Sequence, residues 1–178
     1  IQAALQRAHP LLECDLCPIA DGGEGTAEAV ITALKGEWVE TATLDAQNRP
    51  VTARYGLARD SGKLEAIMEM SAASGLAMVS DLPLEPAAAS THGTGCMLLD
   101  ALQRGATRIV IGIGGSATND AGIGMAAALG FRFLDAEGQP LPPVMLVMDR
   151  LARIEPSAGS FPEILVACDV NNPLLGPH

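Results

Sequence analysis

Apolar and polar positions along the chain follow two periods, and the switches between them mark out its elements. Residues 1–8 have the spacing of the end of a helix, and 14–19 form an apolar run that reads as a strand. Helical spacing returns over 26–35, with Gly36 in the place of a C-terminal stop. Residues 38–44, 50–57 and 63–70 then alternate with period two. They predict an antiparallel meander turned at Asp45–Pro50 and Asp60–Lys63. A short helix around 71–78 and a turn-rich stretch 80–91 follow. Beyond it, Thr94–Arg104 reads as a helix stopped by Gly105, and Arg108–Ile113 as a β-branched strand. A glycine-rich loop leads into a helix that ends at Leu129 before Gly130. Phe131–Leu134 is a short strand, 144–152 is helical, and Glu163–Val170 is the last strand. Helices between strands imply right-handed parallel crossovers. The expected class is therefore α/β: a mostly parallel sheet with flanking helices plus the antiparallel meander, with an internal boundary near 70–92.

Composition narrows the function classes. The 178 residues carry a formal net charge of −10 and no basic cluster, which excludes nucleic acid or an anionic membrane as the main partner. Hydrophobic residues make up 48% against 18% charged, so the chain is not disordered, and with aromatics at 3% its core must be aliphatic. No run approaches the ~18 apolar residues of a spanning helix, and no secretory leader opens the chain, so a cytoplasmic protein is expected. Cys14-x-x-Cys17 has the spacing of half a zinc site, but Cys96 and Cys168 stand alone, so reduced thiols are expected rather than a metal site. The chain opens at Ile1 and stops just after a polar loop at Gly176–His178, which suggests a piece of something longer.

Three loops concentrate the chemistry at predicted strand ends, where α/β sheets gather ligands. The first is Asp21-Gly22-Gly23-Glu24-Gly25-Thr26, which reads either as a capped turn or as a ligand loop with two acids. The second, Gly112 to Gly124, follows a strand and precedes a helix, so its N–H groups can meet an anion. It lacks a Walker Gly-Lys-Ser/Thr. It does match the dinucleotide pattern through Gly112, Gly114 and Ala117, with Asp135 in the place of a ribose-binding acid. Against that reading, Ser116–Asp120 would set a carboxylate where a pyrophosphate rests; beside Mg2+, or as a proton acceptor, a carboxylate is at home. The third is Cys168-Asp169-Val170-Asn171-Asn172-Pro173, an Asx turn or a metal or hydroxyl site. A fourth stretch, Ser90–Gly95, caps a helix and contains His92, either a polar surface residue or a proton carrier.

Taken in order, Ala20–Thr26, Glu69–Leu76, Thr94–Gly95, Gly112–Asp120 and Cys168–Pro173 resemble the type-1 glycerate kinase family through essentially the whole chain. The resemblance implies a two-domain α/β kinase unrelated to Walker-type enzymes, phosphorylating D-glycerate with ATP and Mg2+. There are departures. The family's opening strand and its Ala-Pro-Asp-Ser-Phe-Lys loop are not among these residues, nor is the half beyond the Asn-Pro loop. Asn171 stands where many members have a second Asp, and Pro142–Val147 lacks a usual glycine pair.

Phosphoryl transfer needs positioning and charge neutralisation above all. On this reading Gly114, Gly115 and Ser116 cradle phosphate, with Thr118 and Asn119 nearby. Asp120 and Asp169 are the candidates for catalytic base and Mg2+ ligand, in either assignment. Asp21, Gly22, Gly23, Glu24, Glu69, Ser71 and Asn172 line the glycerate side. The substrate carboxylate needs a cation, and the only lysines are Lys35 and Lys63. The resemblance therefore implies that these residues alone lack kinase activity. An NAD(P)-dependent oxidoreductase and a non-catalytic ligand-binding α/β module are the alternatives, and oligomeric state stays open.

Overall fold

The computed structural model describes residues 1–15 and 19–171. Strands β1 (Glu37–Leu44), β2 (Pro50–Asp60), β3 (Lys63–Glu69), β4 (Arg108–Gly112) and β7 (Glu163–Ala167) form one sheet in that spatial order. The β1–β2 and β2–β3 pairs are antiparallel, as the meander predicts, and the β3–β4 and β4–β7 pairs are parallel. Ser61 and Gly62 both take positive φ between β2 and β3, the two-residue turn whose twist matches a hairpin.

Helices cover both faces. Helix α2 (Thr26–Leu34) lies on one, its Ala27 and Ile31 packed on Ala58 of β2 and Ile67 of β3. The approach is close: a Cβ on Gly56 would stand 2.0 Å from the Ile31 side chain. On the other face α3 (Ser71–Ser74) and α4 (His92–Gln103) enclose the main core of Tyr55, Met68, Met97, Leu98, Ile109 and Ile111. Helix α5 (Ile123–Ala128) packs against α4, and a Cβ on Gly95 would meet Met125 and Ala128 at 2.6 Å. The short helix α1 (Gln2–Ala8) buries no residue.

Several expectations shift in detail. The stop of α2 is Lys35, which takes the left-handed conformation at φ 53°, one residue ahead of Gly36. The strand expected over 14–19 falls partly outside the described residues, and Cys14, Asp15 and Ile19 are not in a strand. The strand near Phe131–Leu134 exists as β5 (Arg132–Leu134). It leaves the central sheet and pairs with β6 (Arg153–Glu155), an element that escaped the periodicity because three residues show no alternation. Residues 145–150 form a 3₁₀ turn. The last strand ends at Ala167, short of Val170.

Two buried polar knots hold these layers in register. The Tyr55 hydroxyl, inside the core, donates to Asp100 on α4 at 2.6 Å, and Arg104 donates to the same oxygen at 2.9 Å. Burial raises the Asp100 carboxyl, but the bonds from Arg104 and Tyr55 outweigh it and hold it below the ordinary value. In the β1–β2 turn, Asp45 is fully buried and accepts the N–H groups of Gln47 and Arg49. Arg49 pairs with Asp45 and Asp81 and donates to the Met78 carbonyl, so one guanidinium ties this turn to the 76–81 segment. Here too burial opposes ionisation, while the Arg49 and Gln47 bonds keep Asp45 charged.

Two outcomes follow. Gly56→Ala should destabilise by ~1–3 kcal/mol through overpacking, and Ile31→Val in the same chain should recover part of that in urea unfolding. A carboxyl with a depressed folded pKa gives stability that is complete above its unfolded value near ~3.9 and lost as pH falls through the folded one. Tyr55→Phe should cost ~1–2 kcal/mol near neutrality. It should also make the acid limb below about pH 4 shallower, because Asp100 moves back towards its unfolded value.

Candidate active site

The parallel pairing of β3, β4 and β7 sets Glu69, Gly112 and Ala167 side by side in one row. The chain segments that follow, from Met70, Ile113 and Cys168, therefore leave the sheet at one edge. The loop Asp21–Gly25 crosses over that edge. The Gly114 N–H donates to the Gly22 carbonyl at 3.0 Å, and Gly22 has φ +91°. A Cβ on Gly22 would stand 2.6 Å from the Ala167 carbonyl oxygen, and one on Gly112 would stand 2.5 Å from that of Gly22. Any side chain at either position blocks the crossing, which is why both are glycine.

Three of the predicted positions meet at this crossing. A Cβ on Gly115 would be 3.3 Å from Ser71 Cβ and 3.9 Å from a Glu24 carboxylate oxygen. From there the chain runs on beside α3, with Leu76 N–H donating to Gly115 and Ala117 N–H donating to Ser74. Ser116 and Thr118 share a hydroxyl contact of 2.7 Å. Among the described residues the N–H groups of Gly115 and Ser116 meet no acceptor. The N–H groups of Asn119, Asp120 and Ala121 on the same segment likewise meet no acceptor among the described residues, while that of Gly114 is used in the crossing. Asp21 accepts the Gly23 N–H and is otherwise exposed, and Glu69 accepts the Ala27 N–H at 2.8 Å, capping α2.

Asp120 departs from expectation. It is 1% exposed, and four donors reach its carboxylate. Oδ2 accepts from the Thr91 N–H, the Thr91 hydroxyl and the Gly124 N–H, and Oδ1 accepts from the Gly122 N–H. Three of these donors crowd Oδ2 and one meets Oδ1, so the buried carboxylate is engaged mainly in holding backbone. Thr91 Oγ1 accepts in turn from Met125 N–H, so the cluster staples the start of α4 to the start of α5. Asp120 thus builds the frame behind the loop. Asp169 lies exposed just beyond β7, with Asn171 exposed beside it, while Asn172 and Cys17 lie outside the described residues. Among the described residues no group of three or more His, Cys, Asp or Glu could hold a metal on its own. His92 opens α4 and its N–H donates to Ser90 Oγ.

The dinucleotide alternative fails on Asp135. Its carboxylate accepts the Glu137 and Gln139 N–H groups and pairs with Arg150 at 3.0 Å, and it belongs to the separate β5–β6 ribbon. What the sequence concealed is a cation. Arg54, in mid-strand β2, stacks over the Trp38 ring at 4.3 Å. With Glu28, Glu69, Gly25 and Ala72 it lines a pocket of about 70 Å³ beside the crossing. The hairpin register carries the signal, since Trp38 faces Gly56 and Glu40 faces Arg54 on one surface. A second pocket of about 90 Å³ is mostly apolar and includes Leu76, Val79, Leu84 and Ala117.

Comparison with known proteins bears on this geometry. The sequence profile of the glycerate kinase family matches residues 1–178. A glycerate 2-kinase of Escherichia coli K12 is 44% identical over 183 residues, covering 100% of this chain and 47% of the relative. A glycerate kinase of Halalkalibacterium halodurans is 42% identical over 99% of this chain and 47% of its own length. A crystal structure of a protein assigned as glycerate kinase 2 in Salmonella typhimurium LT2 superposes with TM-score 0.80 at 38% identity. It covers 98% of this chain and 48% of that one. The chain spans about half the length of the relatives it matches. On the profile match and these whole-chain identities, the chain belongs to the glycerate kinase family.

Proposed function

We propose that the crossing at Gly22 forms the phosphoryl-transfer site of a glycerate kinase, with MgATP as donor and glycerate as acceptor. One observation carries the reading: at the ends of three strands, Gly115, whose N–H like that of Ser116 meets no acceptor among the described residues, lies beside Glu24 and Ser71. Family membership supplies ATP and glycerate as the reactants to test, and the residues present suit them.

Phosphate oxygens would be received by the Gly115 and Ser116 N–H groups, with the Thr118 hydroxyl and Asn119 amide on the same segment. Mg2+ takes one or two protein carboxylates together with phosphate oxygens and needs no closed protein cage. The exposed Asp169 and Asp21 fit that demand, and the ion would neutralise charge as the phosphoryl group moves. Glu24, against Gly115, is the carboxylate placed to take the proton of the attacking hydroxyl. Arg54, held flat on Trp38, supplies the cation for the substrate carboxylate that the two lysines do not.

The assignment separates three acids by readout. In the complete gene product, glycerate-dependent ADP formation should fall at least ~10²-fold in Glu24→Gln with unchanged thermal stability. Asp169→Asn should raise the Mg2+ concentration needed for half-maximal rate. Asp120→Asn should instead lower the melting temperature, because its amide NH2 faces backbone donors. Normal turnover in both Glu24→Gln and Asp169→Asn would remove the assignment.

A further inference from the structure

The second pocket holds no part of the acceptor chemistry, yet it opens on the same glycine segment. Gly115 meets Ser71 and Glu24 at one end of that segment, and Ala117 enters the pocket wall at the other. Ser116 between them bridges Gly75 in extended form, so the two ends are about 7 Å apart at ~3.3 Å per residue. That is the span of a sugar between a base and its phosphates. The pocket floor is Ala46, Val79 and Ala89, all buried, while Leu76 and Leu84 flank it at 50% and 60% exposure. Large aliphatic side chains left this open beside a polar site mark a place for a flat apolar ligand.

The frame around the pocket is already fixed. Arg49 ties Asp45, at the edge of the floor, to Asp81 and the Met78 carbonyl, and Ser90 N–H donates to the Ala46 carbonyl. Gln47 donates its Nε2 to the Pro83 carbonyl at 2.9 Å, which leaves Oε1 as an acceptor at the pocket rim. Glycerate, a three-carbon hydroxy acid, has no group that would use such walls. A purine has two apolar faces and an edge with an exocyclic amine.

We propose that this pocket takes the adenine base of the donor nucleotide, its faces between Leu76 and Leu84 and its amine towards Gln47. The proposal rests on the kinase reading. The test is calorimetric titration of the complete gene product with ATP and, separately, with inorganic tripolyphosphate, both with Mg2+. Two variants are compared: Ala117→Leu, which fills the pocket, and Leu84→Ser, at an exposed position. Each should weaken ATP by at least ~10-fold and leave tripolyphosphate within about 2-fold. Unchanged ATP affinity in both variants, or equal loss of both ligands, overturns the base pocket alone. A wild-type protein that binds ATP no better than tripolyphosphate does the same. A wild-type protein that binds neither overturns the kinase reading itself.

Discussion

Three backbones pass one another at Gly22 with no room for a side chain, and the rest of the site depends on that crossing. The Gly22 carbonyl accepts from Gly114 while its own Cα lies against the Ala167 carbonyl. A backbone-to-backbone contact at this range cannot relax by changing a rotamer. It fixes the Asp21–Gly25 loop over the ends of β4 and β7, and so the position from which α2 starts. Glu69 then reaches from the end of β3 to cap α2, so the loop is held from both sides. The outcome is a short segment at Gly115–Ser116 whose N–H groups meet no acceptor among the described residues.

Three buried carboxylates elsewhere are well supplied with donors. Asp45, Asp120 and Asp135 are all buried, and each has its carboxylate taken up by backbone N–H groups of its own turn, with Arg49, Thr91 or Arg150 completing the set. Buried acids used this way act as structural staples, with three donors on Asp45, three on Asp135 and four on Asp120. Among the exposed acids, Asp21 and Glu24 lie on the loop at the glycine crossing and Asp169 follows β7 by two residues, while others such as Glu37, Glu40, Asp81 and Glu137 are spread over the surface.

Much of this was legible in the sequence. The meander, α4 and β4 follow from alternation and helical spacing, and Gly105 and Gly130 stop their helices in left-handed conformation as expected. Setting the glycine-rich loop after β4 and Cys168 after β7 followed from the strands, whereas the Asp21–Gly25 loop reaches the same edge with no described strand before it, through the Gly114–Gly22 bond. An acid that caps a helix and an acid that catalyses look the same in a polar loop, and the four donors around Asp120 are visible only in the structure. Arg54 was invisible for the opposite reason. In mid-strand it reads as an ordinary outward polar position, and its meaning comes from Trp38 two residues along the facing strand. The β5–β6 ribbon escaped because strands of three residues are too short for a period, and pairing partners are set by tertiary packing.

The central claim is that the Gly115–Ser116 segment is the phosphate-receiving surface and that the loops around it form one site. Amide chemical shifts of the 15N-labelled protein, titrated with MgADP, test it most directly. The account predicts that the largest changes cluster at Gly115, Ser116, Leu76 and Ala117, with smaller ones at Glu24 and Asp169. Changes confined to the β5–β6 ribbon or the β2–β3 turn, with Gly115 and Ser116 unmoved at saturation, would contradict it.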